Sequence, residues 1–435
     1  MREMKDSGVA WIGEVPLDWT IIPTKYLFNI ESGATPRSEN PDYFDGDIVW
    51  ITPADYKTKD VYISAGKRYL TKNGFDSCSA VVVPAGSIIF TKRAPIGNVA
   101  ICATELCTNQ GCLSCVPKAG DSTKFFYYLM SICTDAYNLL GSGTTFKEIS
   151  AFSFANFILI RPMLQEQQKI AAYLDKQTAQ VDALITNIQT QIEKLKVYKQ
   201  SMITEVVTKG LDPSVPMKNS GVDVYPSVPE HWNVQKTLTT LTMPITDGPH
   251  TTPELLPEGI PFVSAEAVSC GNGGIDFDHI RGFISREFYD ECSKKYVPQR
   301  DDIYMIKSGA TTGRVSVVDT DRIFTIWSPL AVFRCNPDVV HFRFLYYFLQ
   351  SSAYQRQVQF GWTYGTQQNI GMRTLERLKI FVPPLDEQYA IADCLDAKCI
   401  QIDRLISIKQ AKIEELEQYK RSLIYEYVTG KREVS

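Results

Sequence analysis

Residues 164–185, LQEQQKIAAYLDKQTAQVDALI, recur 221 positions later as residues 385–406, LDEQYAIADCLDAKCIQIDRLI. Between Leu164 and Thr208, roughly half of the positions are identical to their counterparts in the second copy. Chance does not produce a match of this length. The chain therefore contains an internal duplication, and any fold must accommodate it.

A second repeated motif opens each copy. Val15-Pro16-Leu17-Asp18-Trp19 returns as Val228-Pro229-Glu230-His231-Trp232 at an offset of 213. Between the motifs the similarity is faint, and only scattered points survive: Gly97/Gly313, Tyr127-Tyr128/Tyr346-Tyr347 and Ile149/Ile370. Because the ends are alike and the middles differ, we expect two domains that share a frame but present different surfaces.

The matched segments have the periodicity of long helices. In the first copy an apolar residue returns every seven positions, and further apolar residues widen the stripe: Leu174, Val181, Ile188, Leu195, Met202, with Leu184, Ile185, Ile192 and Val206. The second copy repeats the stripe at Leu395, Ile402, Leu416 and Leu423, although Lys409 stands where the first has Ile188. The pattern predicts two helices of about 40 residues each.

A long helix cannot bury such a stripe alone. It can pair antiparallel with its own duplicate as a coiled coil, or it can pack on its own globular domain. Pro162 and Pro383-Pro384, just before each helix, fit both packings. The middles contain short β-like runs, which favour an α+β fold with globular domains at 1–162 and 211–382 and long helices at 163–210 and 383–435.

Composition narrows the class of protein. The 435 residues are 44% hydrophobic and 22% charged, which is typical of globular chains. No apolar stretch reaches the roughly 20 residues of a membrane span, and the first residues lack the apolar part of a signal peptide. Eleven cysteines at irregular spacings indicate free thiols. We expect a cytoplasmic protein with no membrane partner.

The charge balance does not indicate a nucleic-acid binder. Lys and Arg number 45 against 49 Asp and Glu, a net charge of -4. If the chain binds DNA, local loops or a partner must therefore supply the positive field.

Motifs of catalysis and metal binding are weak. The sequence has no phosphate-binding loop, dinucleotide fingerprint or HExxH zinc motif. Asn40-Pro41-Asp42-Tyr43 resembles the Asn-Pro-Pro-Tyr motif of adenine-N6 methyltransferases, but Asp42 replaces the second proline, and we interpret it as a turn. Cys112 and Cys115, with Cys102 and Cys107 upstream, could form a zinc site; their apolar surroundings favour a strand in the core, so we expect no metal.

The combination of motifs resembles a known family. V-P-x-x-W opens each copy, and P-x-L-x-E-Q closes it at Pro162-Met163-Leu164-Gln165-Glu166-Gln167 and at Pro383-Pro384-Leu385-Asp386-Glu387-Gln388. Together with the duplication, this resembles the DNA-specificity subunit of type I restriction-modification systems over essentially the whole chain.

The resemblance implies two target-recognition domains, each reading one half of a bipartite site in double-stranded DNA. It implies two antiparallel helices that separate the domains and set the spacer between the half-sites. A specificity subunit has no catalytic activity and no cofactor; it docks two methyltransferase subunits, and two restriction subunits join them. S-adenosylmethionine, ATP and magnesium belong to those partners.

Candidate DNA-binding residues lie in short polar loops of the two middles, where base-edge readout by a few side chains is expected. In the first domain they are Arg37, Lys92, Arg93, Thr144, Thr145 and Lys147, and in the second Lys307, Arg314, Gln367, Gln368 and Asn369. Three alternatives stay open: the specificity subunit of a two-subunit bifunctional restriction-methylation enzyme, a stand-alone DNA adenine methyltransferase, and a pure protein scaffold.

Overall fold

The computed structural model describes residues 2–56, 60–118, 120–143, 147–364 and 368–434. The chain forms two compact units, one of Met1–Ile188 with Ala411–Ser435 and one of Gln189–Gln410. Each unit combines one globular domain with part of each long helix. Among the described residues, no helix has the length and apolar character needed to span a membrane.

The first globular domain mixes strands and helices. Its described strands are β1 (Met4–Asp6), β2 (Glu14–Pro16), β3 (Thr20–Pro23), β4 (Phe28–Ser32), β5 (Phe44–Ile51), β6 (Tyr62–Ile63), β7 (Arg68–Leu70), β8 (Ile88–Thr91), β9 (Val99–Cys102), β10 (Cys107–Thr108), β11 (Cys112–Pro117) and β12 (Ile158–Arg161). Its helices are α1 (Thr24–Leu27), α2 (Lys72–Asp76), α3 (Thr123–Ser131), α4 (Thr134–Leu140) and α5 (Ala151–Ala155). The main sheets have the orders β4-β11-β8-β9-β6 and β10-β5-β7.

Helix α6 (Leu164–Lys209) leads into the second globular domain. The described strands there are β13 (Met217–Asn219), β14 (Ser227–Pro229), β15 (Asn233–Lys236), β16 (Thr246–Asp247), β17 (Ile260–Val263), β18 (Phe283–Ile284), β19 (Ile303–Ile306), β20 (Val315–Val317), β21 (Thr325–Ile326), β22 (Leu330–Phe333), β23 (Thr363–Tyr364), β24 (Gln368–Asn369) and β25 (Lys379–Val382). The helices are α7 (Ala265–Cys270), α8 (Arg286–Ser293), α9 (Phe342–Gln350), α10 (Ser352–Phe360), α11 (Met372–Arg377) and α12 (Leu385–Val428). The main sheets have the orders β16-β22-β19-β20 and β18-β17-β21.

The two domains repeat one topology. In each, an antiparallel hairpin pairs with a third antiparallel strand: β8 lies between β11 and β9, and β19 between β22 and β20. In each, one parallel pair ties the second sheet together, β5 with β10 and β17 with β21. The strand before each long helix pairs with the strand after the V-P-x-x-W motif. The predicted α+β fold and duplication are confirmed.

Both predicted helices exist, with 46 residues in α6 and 44 in α12. They pair antiparallel within each unit. In the first unit Tyr173 packs on Tyr427 and Lys420 forms an ion pair with Asp182 at 2.7 Å. In the second unit Lys199 forms the equivalent pair with Asp403, also at 2.7 Å.

The helices also pack on their own domains. Leu174 of α6 and Leu423 of α12 belong to the core of the first domain, whereas Met202 and Leu395 belong to the core of the second. Both packings considered from the sequence therefore occur together. Leu184 differs from the prediction, because its side chain is 52% exposed and does not widen the buried stripe.

Lys409 and the cysteines also have local explanations. The Lys409 amino group donates to Gln191 Oε1 at 2.5 Å, so the polar exception in the stripe has a partner. Cys102 and Cys112 are buried on strands, which confirms the interpretation as strand core, and burial raises the pKa of both thiols to about 12. In the part of the chain that the structure describes, no cluster of three His, Cys, Asp or Glu could hold a metal.

Candidate DNA interface

The two repeated motifs contact each other. The indole Nε1 of Trp19 donates to Glu166 Oε2 at 3.0 Å, and Trp232 Nε1 donates to Glu387 Oε2 at 3.1 Å. Both indoles are almost fully buried, so each needs this acceptor. The contact fixes the start of each long helix to the opening motif of its own domain.

The glutamine beside each glutamate makes a second attachment. Gln167 and Gln388 are fully buried. Gln167 Oε1 accepts the backbone N–H of Ser122, the N-cap residue of α3, and Gln388 Oε1 accepts that of His341, the N-cap residue of α9. This frame of Trp, Glu and Gln holds both domains by the same bonds, although the surfaces that it carries differ.

The structure brings the candidate loops of each domain together. In the first, the backbone N–H of Lys92 donates to Gly111 and its carbonyl accepts from Ile149, at 2.9 and 3.0 Å. In the second, Lys307 makes the same pair of bonds with Pro329 and Ile370, at 2.8 and 2.9 Å. We call residues 92–97 with 142–143 and 147–149 the first loop face, and residues 307–314 with 363–364 and 368–370 the second loop face. Lys92 and Lys307 are therefore structural equivalents.

Ion pairs dominate the first loop face. Lys92 Nζ lies 2.8 Å from Glu148 Oε1, and Arg93 Nη1 lies 3.4 Å from Oε2 of the same carboxylate. The hydrogen bond from Lys92 lowers the pKa of Glu148 despite partial burial. Two cations against one carboxylate leave a local positive excess.

The other candidates of the first domain are more open. Arg37 and Lys147 are exposed, and their side chains form no hydrogen bond or ion pair with any residue that the structure describes. Arg37 follows a loop attached to the sheet through Ala34, whose N–H donates to Thr108. Thr144 and Thr145 lie outside the described residues.

In the second loop face, the described candidates Arg314, Gln368 and Asn369 contact the backbone of neighbouring segments. Arg314 Nη1 donates to the carbonyl of Ser269 at 3.1 Å. The Gln368 carbonyl accepts from Gly309 at 3.0 Å, and Asn369 bridges to Ser308. The side chains of Gln368 and Asn369 are exposed, and Gln367 lies outside the described residues.

Lys307 is held by an acid that the sequence reasoning missed. Its Nζ lies 3.3 Å from Oδ2 of Asp247, a carboxylate whose side chain is 1% exposed. Lys295 approaches Oδ1 at 2.5 Å and His250 Nε2 approaches Oδ2 at 3.0 Å. Burial alone would raise the pKa of Asp247, but the cations around it hold that pKa below its usual range.

Two glycines, one in each domain, occupy equivalent places after the first strand of the main sheet. A Cβ on Gly33 would collide with the backbone of Thr108 and Asn109, and one on Gly248 with that of Ile326 and Trp327. Ser32-Gly33 and Asp247-Gly248 thus correspond at an offset of 215, between the offsets of the flanking motifs. A search for small residues at intermediate offsets could have found them.

Comparison with known proteins places the chain in a family. A family model described as the type I restriction modification DNA specificity domain matches residues 16–194 and 249–418, most of the chain. The chain belongs to this family. The matched ranges reproduce the duplication, and the resemblance predicted from the motifs is confirmed.

Relatives with names agree with this assignment. The type I restriction enzyme MjaIX specificity subunit of Methanocaldococcus jannaschii is 33% identical over 232 residues, 52% of this chain and 52% of that protein. The chain thus spans about half the length of that relative. The putative MjaX specificity subunit of the same organism is 25% identical over 441 residues, 97% of this chain and 95% of that protein.

Solved structures show the same fold. One chain, from a study of complex assembly and conformational transition of the type I R-M system, matches with a TM-score of 0.70 and 19% identity, over 96% of this chain and 99% of its own. The HsdS subunit from Thermoanaerobacter tengcongensis matches with a TM-score of 0.50 and 18% identity, over 96% and 98%. These structures confirm the predicted fold, and the family model confirms the predicted assignment as a type I specificity subunit.

Proposed function

We propose that each globular domain reads one half of a bipartite DNA sequence, and that the helix pair sets the spacer and docks methyltransferase subunits. One observation carries the proposal. Equivalent backbone positions in the two domains, such as Lys92 and Lys307, are held by the same bonds but surrounded by different side chains. A shared frame with divergent loop faces suits the recognition of two different half-sites.

The charge distribution supports DNA binding at the loop faces. The chain as a whole is slightly acidic, but Lys92 and Arg93 outnumber Glu148 on the first face. Exposed Lys147 adds to this excess. Local cations of this kind supply phosphate contacts, while neighbouring amides and guanidiniums such as those of Gln368 and Arg314 can read base edges.

Duplicated exposed apolar residues support two copies of one partner. In the first unit Leu184 and Tyr419 are close in sequence to the Asp182–Lys420 ion pair, and they are about half exposed. Leu405 and Tyr198 have the same places relative to the Asp403–Lys199 pair in the second unit and are similarly exposed. Apolar side chains that are exposed at the same place in each copy fit two identical partner subunits, one methyltransferase to each unit.

A partner-binding experiment tests whether these exposed apolar residues dock the methyltransferase subunits. Leu184→Glu should leave one methyltransferase bound, Leu405→Glu the other, and the double variant none, measured as the mass of the assembled complex. Lys194→Glu, on an exposed position of the same helix, is the control and should bind both. Two methyltransferases retained by the double variant would contradict this docking surface.

In this proposal the chain itself has no catalytic role. S-adenosylmethionine is held by the methyltransferase subunits, and ATP and magnesium by two restriction subunits, all acting in the cytoplasm where the DNA is.

The methyltransferase alternative rested on Asn40, and this residue caps a short 3-10 turn, with Oδ1 accepting from Asp42 N–H at 3.1 Å. Such a local turn supports the non-catalytic role. A two-subunit bifunctional enzyme would use the same specificity chain, so it remains the second candidate.

Replacement of one domain tests the main proposal. The full chain is assembled with its methyltransferase, and the methylated sequence is read by modification-sensitive sequencing. Exchange of residues 20–160 for those of a relative should change one half-site and leave the other intact. A change in both half-sites would show that the domains do not read independently, and the absence of any sequence preference would favour the protein scaffold. Methylation by the chain without partners would instead restore the stand-alone enzyme.

A further inference from the structure

Two short helices border the second loop face. Helix α10 precedes one segment of this face in the chain, and α11 follows the same segment. The Gln355 side chain of α10 donates through Nε2 to the Gly313 carbonyl at 2.8 Å. A Cβ on Gly361, at the end of α10, would meet Ile370 Cδ1 at 3.3 Å and Thr374 Cγ2 of α11 at 2.8 Å. Both helices therefore adjoin the surface that is proposed to read DNA.

These helices carry three arginines to which the proposed function gives no role. Arg356 on α10, and Arg373 and Arg377 on α11, are exposed. Their side chains form no hydrogen bond, ion pair or ring contact with any residue that the structure describes. The one acid between Arg356 and Arg377 in the sequence is Glu376, whose Oε1 accepts the backbone N–H of Ile245 at 3.1 Å. Three cations against one acid leave a positive excess on these helices.

The first domain has a counterpart of α10 in α4. Gly97 and Gly313 are equivalent glycines, and both have a positive φ. A Cβ on Gly97 would meet Thr134 of α4, and a Cβ on Gly313 would meet Gln355 of α10. Thr134 and Gln355 therefore correspond, at an offset of 221.

The charge is reversed at the next position of these two helices. Asp135 of α4 is exposed and stands where α10 has Arg356. The same offset places the uncharged Phe152 and Asn156 where α11 has its two arginines. The arginines are therefore a property of the second domain alone and do not belong to the shared frame.

The second loop face itself has few cations available for DNA. The side chain of Lys307 is only 11% exposed, and it pairs with the buried Asp247. Arg314 donates to the carbonyl of Ser269. Phosphate contacts in this domain therefore need cations from neighbouring elements, and α10 and α11 have them.

We propose that Arg356, Arg373 and Arg377 bind backbone phosphates of the DNA beside the half-site read by the second domain. This inference rests on the proposed function and deepens it by naming a phosphate-binding surface. Guanidinium groups match the geometry of phosphate oxygens, and phosphate contacts fix the register in which base contacts select the sequence. The two domains then hold the DNA backbone differently, the first with cations of its loop face and the second with cations of the adjoining helices.

The test uses the full chain assembled with its methyltransferase. Equilibrium binding of duplexes with and without the target sequence is measured from about 50 to about 200 mM salt. Arg356→Gln, Arg373→Gln and Arg377→Gln, combined in one variant, should weaken binding to both duplexes alike. The slope of log affinity against log salt should fall by about 3, because each lost phosphate contact contributes about 1. The methylated sequence should stay unchanged. Lysine at the same three positions should restore most of the slope, because lysine also binds phosphate.

Ethylation interference locates the contacts on the DNA. In the wild-type assembly, ethylated phosphates beside the second domain's half-site should block binding, and in the triple glutamine variant they should no longer do so. Asp135→Asn removes the acid at the equivalent place in the first domain and should strengthen binding, since a carboxylate there repels phosphate. Unchanged interference beside the second half-site in the triple variant would contradict the proposal.

A second triple variant matches the change in charge. Arg286, Lys294 and Arg300 are exposed on the same domain, and the two arginines have carboxylate partners. Glutamine at these three positions should leave the slope near that of the wild type. Equal slopes in the two triple variants would assign the effect to net charge and overturn the inference. Loss of the methyltransferase from the first variant without DNA would assign its arginines to protein docking and also overturn it. If the wild-type assembly bound no DNA at all, the proposed function would fail instead.

Discussion

Trp232 and Glu387, 155 residues apart in the chain, are joined by a hydrogen bond of 3.1 Å from the indole N–H to the carboxylate. The same bond joins Trp19 to Glu166 in the first domain. The two motifs that identified the duplication are therefore one structural feature, seen in sequence as two separate signals. Each ties the opening of a domain to the helix that follows it.

Loss of this bond should destabilise the second unit. Glu387→Ala leaves a buried indole N–H without an acceptor, which costs about 1–3 kcal/mol of the free energy of unfolding. Urea denaturation followed by tryptophan fluorescence measures the change. Glu230→Ala, an exposed carboxylate two residues before Trp232, should change the free energy by less than about 0.5 kcal/mol. Equal effects of the two variants would contradict a structural role for the pair.

Gly248 should not tolerate a side chain. A Cβ there would meet the backbone of Ile326 and Trp327 within van der Waals radii, so Gly248→Ala must displace the strand that supports the second loop face. We expect a loss of about 1–3 kcal/mol in stability and loss of methylation at the half-site read by the second domain. Gly371→Ala is the control, because its Cβ would meet Thr374 Oγ1 at an ordinary 3.7 Å. A Gly248→Ala variant as stable as the wild type would contradict this prediction, because it would show that the strand moves at little cost in free energy.

The Asp247 cluster predicts how stability depends on pH. The pKa of Asp247 is lowered in the folded chain, so its ionised form stabilises the fold above the usual aspartate pKa of about 3.9. This contribution is lost as the pH falls through the lower, folded pKa. Asp247→Asn should therefore cost about 3 kcal/mol near pH 7, and the difference from wild type should shrink below about pH 4. Unfolding free energies at pH 7, 5 and 3 test this; a difference that grows on acidification would contradict it.

The cysteines should differ sharply in reactivity. Burial raises the pKa of Cys102, Cys107 and Cys112 to about 12, so almost none of their thiols is ionised at pH 7.5. Cys270 is exposed at the end of α7. In the native protein, iodoacetamide should therefore label Cys270 first, as mass spectrometry of peptides can show, and the three buried thiols only after denaturation. Rapid labelling of Cys112 in the folded chain would contradict its burial.

Lengthening both helices tests their role in spacing. Four residues inserted after Ile188 and four after Gln410 fall at the boundary between the units and preserve Asp182–Lys420 and Lys199–Asp403. Each insertion adds about 6 Å and about 40° of rotation. The added length corresponds to nearly two base-pair steps of DNA. The added rotation corresponds to about one base-pair step. The variant assembly should methylate the same half-sites with a spacer longer by one or two base pairs. An unchanged spacer in a folded assembly would assign spacing to the partners.

The frame could be predicted from sequence because repetition exposes it. The heptad spacing of Leu174 and Val181 indicated the long helices, and the two offsets located the domains between them. The burial of Leu184 was predicted wrongly. Periodicity alone cannot distinguish a residue that faces the neighbouring helix from a residue a few tens of degrees further around the helix axis. Helix pairing within each unit, not the pattern alone, decides which side is buried.

The segments of each loop face were predicted as separate loops. The contacts between these segments were not predicted. The bond between Lys92 and Ile149 joins segments far apart in the chain, and faint similarity at Ile149 and Ile370 gave no hint of a partner. Asp247 was missed for a similar reason: a lone aspartate before a glycine is typical of a turn. Only the fold shows that Lys295 and Lys307 meet there.

The paired Glu and Gln at the start of each long helix have a consequence for evolution. Glu166-Gln167 and Glu387-Gln388 hold their domains through one tryptophan and one backbone N–H each, and neither contact uses a residue of the two loop faces. A genetic crossover within the codons of these helices would therefore introduce a foreign domain that can form the same hydrogen bonds with the start of the helix. New specificities can spread by recombination of whole gene segments, without the slow accumulation of compensating point mutations.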